Sequence, residues 1–364
     1  MSLPPLFENR LSLPLIAAPM FLASGPELVI ACCKAGIVGT FPAKNQRTAV
    51  GLETWLEQIT TSLNAHEQTT GQKPAPFGVN LIVHKSNDVL TEELALCKKY
   101  QVPLIITSLG AVSDLVTQIH DYGGLVFHDI VNLRHAEKAA AADVDGLIAV
   151  CAGAGGHTGQ ASPFGLINEI KASFTGTILL SGALSTGADI AAAQMIGADL
   201  AYMGTRFIST QECLSPDAYK QMLTTAAAGD IVLTDAVTGV NANFIKQSLV
   251  QSGYDPDNLD SHGEVDINKE LAEALDPRQN SAKPWRDLWS AGHGVGSIKD
   301  IPTVASLVAR LKQDYASAMT AQNELAQPYL LAEKRIKQTH DTGWNPLCPL
   351  YPQSDGQKAR GRSR

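Results

Sequence analysis

Short apolar runs alternate with longer amphipathic segments over the first two hundred residues of the chain. The short runs are rich in Val, Ile and Leu without polar alternation, which is typical of parallel strands buried on both faces. Eight runs are predicted strands, at 13–18, 37–41, 77–83, 104–107, 125–130, 146–150, 177–181 and 200–203. The predicted helices lie at 26–34, 52–65, 87–100, 112–122, 133–142, 164–173 and 188–196. Eight β/α units favour an α/β fold of the closed (β/α)8 TIM barrel type over an open doubly wound sheet.

The alternation ends after Phe207, where polar and turn-rich sequence follows. We therefore predict a barrel over residues 1–211 and a mainly helical insertion over 212–300, which caps the C-terminal end of the barrel. A closing helix is predicted at 301–320. Residues 321–364 lose periodicity and are predicted to form an irregular tail.

Composition limits the kinds of molecule that the chain is expected to bind. The chain has 364 residues, of which 45% are hydrophobic and 18% charged, and a net charge of −8. This acidic balance argues against nucleic-acid and membrane-surface partners and favours a small molecule. The six cysteines show no CxxC or paired spacing, so neither a metal site nor a disulfide framework is expected. No secretory or transmembrane pattern is evident, and a cytoplasmic location is expected.

Active sites of TIM barrels lie where the strands end, so the residues after each apolar run are the candidates. The first strand leads into "AAPM", which ends with Pro19 and Met20, and the third carries Asn80 within "GVNL". Met20 is suited to lie against a flat ligand. A buried Asn80 needs hydrogen-bond partners, which either a ring edge or the backbone would supply.

The sixth strand leads into "VCAGAGGHTG", residues 150–159, in which four glycines surround His157. Glycine allows positive φ and lets backbone pass close to a bulky ligand. A histidine held there can transfer protons near neutral pH, although a structural histidine is the alternative. We favour catalysis for His157 because of its position at this end of the barrel.

The last two strands end in "SGALSTG" and "MGTRF", and barrel loops at these positions commonly cradle a phosphate. Backbone N–H groups of Gly182, Ala183, Gly204 and Thr205 are the expected phosphate ligands. Arg206 either adds charge there or pairs with a carboxylate outside the barrel.

Together, "LPLIAAPM", "FGVNL", "VFHDIVNLRHA", "AGGHTG", "SGALSTG", "MGTRF" and "WSAGHGVGSI" resemble the nitronate monooxygenases, formerly called 2-nitropropane dioxygenases. The resemblance covers most of the chain and implies a TIM barrel that holds non-covalent FMN. It implies His157 as the active-site residue. It further implies that the following residues bind the cofactor: Ala18, Pro19, Met20, Asn80, Gly155, Gly156, Ser181, Gly182, Ala183, Gly204 and Thr205.

The implied reaction is the oxidation of a small anionic alkyl nitronate, such as propionate 3-nitronate, by FMN and O₂ to a carbonyl compound and nitrite. His157 would orient the nitronate and act as a base toward a neutral nitroalkane. An apolar cap with Trp285, Trp289 and His293 would shield the flavin. The chain departs from the family pattern at Asp129, where lysine is frequent, and at Ala183, where glycine is usual.

Two other functions stay open at this stage. The FMN-dependent enoyl-ACP reductases share much of the same motif set, but they need NADH and an acyl-thioester substrate. A flavin-binding protein without turnover is the third alternative. The long segment after Phe207 and the "WSAGHGVGSI" motif favour the monooxygenase.

Overall fold

A computed structural model describes residues 3–84, 87–110, 112–259 and 285–341. Eight parallel strands close into a barrel, in which the last strand pairs with the first. They are β1 (Leu15–Ala17), β2 (Val38–Pro42), β3 (Phe77–Ile82), β4 (Leu104–Ser108), β5 (Leu125–Ile130), β6 (Gly146–Val150), β8 (Thr177–Ser181) and β9 (Leu200–Met203). Each predicted run overlaps one of these strands, so the predicted TIM barrel is confirmed.

Seven helices connect consecutive barrel strands. They are α1 (Pro26–Lys34), α2 (Ala49–Thr70), α3 (Leu90–Lys99), α4 (Ser113–His120), α5 (Leu133–Ala141), α6 (Pro163–Lys171) and α7 (Gly187–Met195). Side chains cap several of them: the hydroxyl of Thr48 accepts a hydrogen bond from the N–H of Gly51 at the start of α2. Such caps satisfy N–H groups that the first helical turn leaves free.

Large apolar side chains fill the barrel interior. Ile16, Val38 and Phe127 point inward and are fully buried. Phe7 lies in a short 3₁₀ turn before β1, and its ring centroid lies 6.0 Å from that of Phe127. Because side chains occupy the middle of the barrel, space for a ligand is left at the ends of the strands.

The segment after β9 builds part of its structure from strands. It contains α8 (Thr205–Ile208), α9 (Asp217–Thr225), β10 (Ile231–Thr234), β11 (Ala242–Ile245) and α10 (Lys246–Gln251). The two strands are antiparallel, and β11 also pairs with the short strand β7 (Gly156–His157) in the glycine-rich loop. The mainly helical prediction for 212–300 missed this sheet, because each of its two longer strands has only four residues. Residues 260–284 of this insertion lie outside the described residues.

The last helix, α11 (Val304–Asp341), is longer than predicted. The prediction of an irregular tail from residue 321 was wrong up to Asp341, because "AQNELAQ" lacks an apolar face but consists of good helix formers. The chain divides into two compact units after Ala318. Residues 342–364 lie outside the described residues, and the rest of the division into domains stays a prediction. None of the described helices is long and apolar enough to cross a membrane.

Candidate active site

A cavity of about 840 Å³ opens where the barrel strands end. The predicted site residues all border it: Ala18, Pro19, Met20, Asn80, Gly155, Gly156, His157, Ser181, Gly182, Ala183, Gly204 and Thr205. They come from five different strand ends, so the barrel topology brings together residues almost two hundred positions apart in the sequence. The insertion contributes Trp285, Ser290 and Gly292 to the same wall.

The turn after β1 is held rigid by Asn45. The Asn45 amide nitrogen donates to the carbonyl oxygens of Met20 at 3.1 Å and Ser24 at 2.8 Å, and its oxygen accepts from the N–H of Leu22 at 2.9 Å. The hydroxyl of Ser24 accepts from the N–H of Met20 at 3.0 Å. These bonds fix the Met20 backbone beside the cavity. Sequence analysis did not identify Asn45, which lies between two predicted elements.

Asn80, Ser108 and Asp129 form a chain of hydrogen bonds along one wall. The Asn80 amide donates to the Ser108 hydroxyl at 2.8 Å and to the Ile106 carbonyl at 3.2 Å. Ser108 donates to Asp129 Oδ2 at 2.6 Å. The other oxygen, Asp129 Oδ1, is buried and has no hydrogen-bond partner within the described residues. Burial raises the pKa of Asp129 to about 6, against the opposing effect of the Ser108 bond.

His128, the neighbour of Asp129 in β5, is buried, and its Nδ1 lies 2.7 Å from the Thr107 hydroxyl. Burial lowers its pKa from 6.5 to about 4, the charge of His135 adds to this shift, and the Thr107 bond opposes it. A depressed pKa in the folded state gives stability that is complete above pH 6.5 and is lost as pH falls toward 4.

We therefore expect a His128→Asn variant to resist acid better than the native chain. Between pH 7.5 and 5.0 the native protein should lose about 2 kcal/mol more free energy of unfolding than the variant. Urea titrations at both pH values, with the same flavin concentration in every sample, measure this difference. The lost Thr107 bond lowers the variant's stability equally at both pH values, and parallel losses in the two proteins would contradict the assignment.

The glycine-rich loop presents His157 to the cavity. Gly153 and Gly156 have φ values of +89° and +69°, which favour glycine. A Cβ on Gly159 would lie 2.3 Å from the carbonyl oxygen of Val150, so the exit from the loop also requires glycine. Pairing of His157 with Ala242 of β11 fixes the backbone at the histidine.

The His157 ring packs edge-on against Trp285, with centroids 5.1 Å apart at 74°. Its surface is accessible from the cavity, and neither ring nitrogen makes a hydrogen bond within the described residues. The protein atoms around the ring nevertheless disfavour its charged form and lower its pKa to about 4. His157 is therefore neutral at pH 7, with one nitrogen able to accept a proton and the other able to donate a hydrogen bond.

Four loops converge at the other end of the cavity. Gly182 and Ala183 have φ values of +135° and +57°, and such a backbone is strained at an alanine. The N–H of Ala183 donates to the Gly153 carbonyl at 3.1 Å, and its role as a phosphate ligand stays a prediction. Thr205 Oγ1 accepts from the N–H of Gly292 at 3.0 Å and keeps its own hydrogen to donate.

Ser185 adds a polar group that sequence analysis missed. It borders the cavity, and its hydroxyl is buried without a hydrogen-bond partner within the described part of the chain. Its N–H donates to Asp189 at 2.8 Å, and Asp189 also caps α7 through Thr186. The signal was present, because Ser185 lies inside the "SGALSTG" motif already interpreted as a phosphate loop.

Arg206 pairs with a carboxylate outside the barrel, which is the second of the two alternatives that the sequence left open. Its side chain is buried and lies 3.2 Å from Asp300 Oδ1, and it also donates to the Ser209 carbonyl. Arg206 does not border the cavity. The residue therefore joins the end of β9 to the segment before α11.

A family model described as nitronate monooxygenase matches residues 7–314. The chain belongs to the nitronate monooxygenase family. The family is one of flavin-dependent oxidoreductases that act on small molecules.

Two curated relatives of this nitronate monooxygenase family member carry different names. A (3aS,4S,5R,7aS)-5-hydroxy-7a-methyl-1-oxo-octahydro-1H-indene-4-carboxyl-CoA dehydrogenase of Mycobacterium tuberculosis is 26% identical over 241 residues, 65% of this chain and 64% of that protein. A nitronate monooxygenase of Paraburkholderia phytofirmans is 26% identical over 289 residues, 67% of this chain and 76% of that protein. The chain thus spans just under two thirds of the length of the mycobacterial relative.

Two solved structures resemble the family member over almost their whole length. FabK from Thermotoga maritima has a TM-score of 0.71 at 21% identity and covers 88% of this chain and 97% of its own. A nitroalkane oxidase from Streptomyces ansochromogenes has a TM-score of 0.72 at 23% identity and covers 87% and 99%. At these identities the likeness shows the shared fold alone.

Proposed function

We propose that the chain is an FMN-dependent enzyme that oxidises small alkyl nitronates with O₂ to a carbonyl compound and nitrite. The observation that carries the proposal is the position of His157, which faces a large cavity with both ring nitrogens unpartnered within the described residues. Membership of the nitronate monooxygenase family supports the reaction class.

The residues around the cavity fit FMN. The buried hydroxyl of Ser185 lacks a partner, and Thr205 has a hydrogen to donate, so both suit the oxygens of a phosphate. The backbone at Gly182 and Gly204 would complete this cradle. Ala18, Pro19 and Met20 offer an apolar surface to a flat ring and Asn80 a polar edge, while Gly155, Gly156 and Ser181 would border the ribityl chain.

FMN when bound supplies the oxidising power of the reaction. The chain itself binds and orients the substrate. The ring N–H of neutral His157 would donate to an anionic nitronate oxygen, which holds the substrate and stabilises its charge. Toward a neutral nitroalkane the other ring nitrogen would accept the α-proton. Trp285 packs against the ring and would limit its rotation.

An anaerobic absorbance titration tests this function. We expect propionate 3-nitronate alone to change the absorbance of the bound flavin, and we expect aerated mixtures to release nitrite without any nicotinamide. The control adds NADH with a crotonyl thioester to a second sample. Flavin bleached by NADH and reoxidised by the thioester, with nitronate inert, would replace the proposal.

That outcome would favour the second candidate, an enoyl-thioester reductase. The resemblance to FabK and the CoA-thioester name of the mycobacterial relative support this candidate. Both functions need flavin in the same cavity, so a purified protein that takes up no flavin would contradict both.

A further inference from the structure

Asp129 is an ionisable, partly buried residue of the cavity wall that the proposed reaction does not use. Its Oδ2 is occupied by the Ser108 hydroxyl, and its Oδ1 is buried without a partner within the described residues. Asp129 nevertheless borders the cavity, so a ligand there will cover what solvent still reaches it. A charged carboxylate covered by a ligand loses its hydrogen bonds to water, and here the protein replaces them with only one hydrogen bond.

The hydrogen bonds that join Asn80, Ser108 and Asp129 along this wall donate toward the carboxyl of Asp129. The Ser108 oxygen accepts from the Asn80 amide, so its single hydrogen goes to Asp129. Asn80 in turn is held by the Ile106 carbonyl on the barrel wall. The carboxyl is therefore fixed in orientation but receives only one hydrogen bond, whereas a stable buried carboxylate commonly accepts two or three.

No cation offsets a charge on Asp129 within the described residues. Tyr202 of β9 has its pKa raised by burial and by Asp129 itself. His128, the neighbour of Asp129 in β5, has a pKa of about 4 and so is neutral from pH 5 upward. Lys44 also borders the cavity but pairs with Glu93 at 3.5 Å. His135 and Lys138 border the cavity from α5 and form no ion pair with Asp129.

We propose that Asp129 carries a proton whenever flavin fills the cavity, so that the wall presents a hydrogen-bond donor and no negative charge to the ligand. The inference rests on the proposed FMN site. Its consequence is linkage: flavin binding and protonation of Asp129 strengthen each other, and binding weakens as the empty protein loses this proton.

The test measures the dissociation constant of riboflavin, followed by its fluorescence, from pH 5 to 8.5. Riboflavin is used because the FMN phosphate titrates near pH 6 and would add its own pH dependence. For the native protein we expect a constant value at low pH and up to about tenfold weakening per pH unit above the Asp129 pKa of about 6. Asp129→Asn, which keeps a donor but cannot ionise, should bind equally at every pH.

Ser108→Ala is the second variant. It removes the hydrogen bond that lowers the Asp129 pKa, so the pH at which binding begins to weaken should rise. Equal pH profiles for the native protein and Asp129→Asn would overturn the inference and leave the flavin site intact. A native protein that binds neither FMN nor riboflavin at any pH would overturn the proposed function as well.

Discussion

A Gly182→Ala variant is expected to bind FMN at least tenfold more weakly than the native protein. Gly182 has φ +135°, and an added Cβ would lie 3.0 Å from the Ala152 carbonyl oxygen and 3.2 Å from that of Cys151. Both contacts are with backbone, which cannot rotate away, so the loop must shift. A shift there moves Ser185 and the Gly182 backbone, and hydrogen bonds to a charged phosphate contribute about 1.5–3 kcal/mol each.

Riboflavin separates this effect from general damage. It lacks the phosphate, so its affinity for Gly182→Ala should stay within about threefold of the native value while that of FMN falls. Gly71→Ala is the matched control, because Gly71 also has positive φ, at +68°, but ends α2 with nothing within 4 Å of an added Cβ. Equal losses for FMN and riboflavin would place the phosphate elsewhere.

The barrel could be predicted from the sequence because its strands are buried on both faces. Runs such as 146–150 and 200–203 coincide with β6 and β9 to the residue, because short runs rich in apolar residues are typical of parallel strands buried on both faces. The residues at the strand ends were therefore the predicted site residues, and they line the cavity wall. The candidate residues gathered in one cavity because barrel topology, and not local sequence, brings strand ends together.

Features set by tertiary contact could not be predicted. The sheet of β10 and β11 depends on pairing with Gly156 and His157, far away in sequence. The N–H of Ala183 donates a hydrogen bond to the Gly153 carbonyl, and no sequence motif indicates this contact between two loops. Asp129 stood out only as a departure from a family pattern. That its second oxygen lacks a partner is a fact of packing.

A His157→Asn variant is expected to keep its flavin and lose most activity on neutral nitroalkanes. The ring makes no hydrogen bond within the described residues, so its removal costs the fold little beyond the contact with Trp285. General base catalysis typically contributes about 10²–10⁴-fold, and asparagine cannot accept the proton. Turnover of a preformed nitronate should fall less, because the asparagine amide can still donate a hydrogen bond.

The pH profile of the native enzyme tests the pKa of a catalytic His157. The protein atoms around the ring lower its pKa to about 4, so the free base is already fully formed at pH 6. We expect kcat/KM for nitroethane to be level from pH 6 to 8 in the native enzyme, with no break near 6.5, since this ratio follows the free enzyme. His135→Asn is the control, because His135 borders the same cavity from α5.

If nitroethane turnover is unchanged in His157→Asn, then the base lies elsewhere and the histidine only supports the loop. Equal losses on nitroethane and nitronate would instead make His157 a residue that binds both substrates alike.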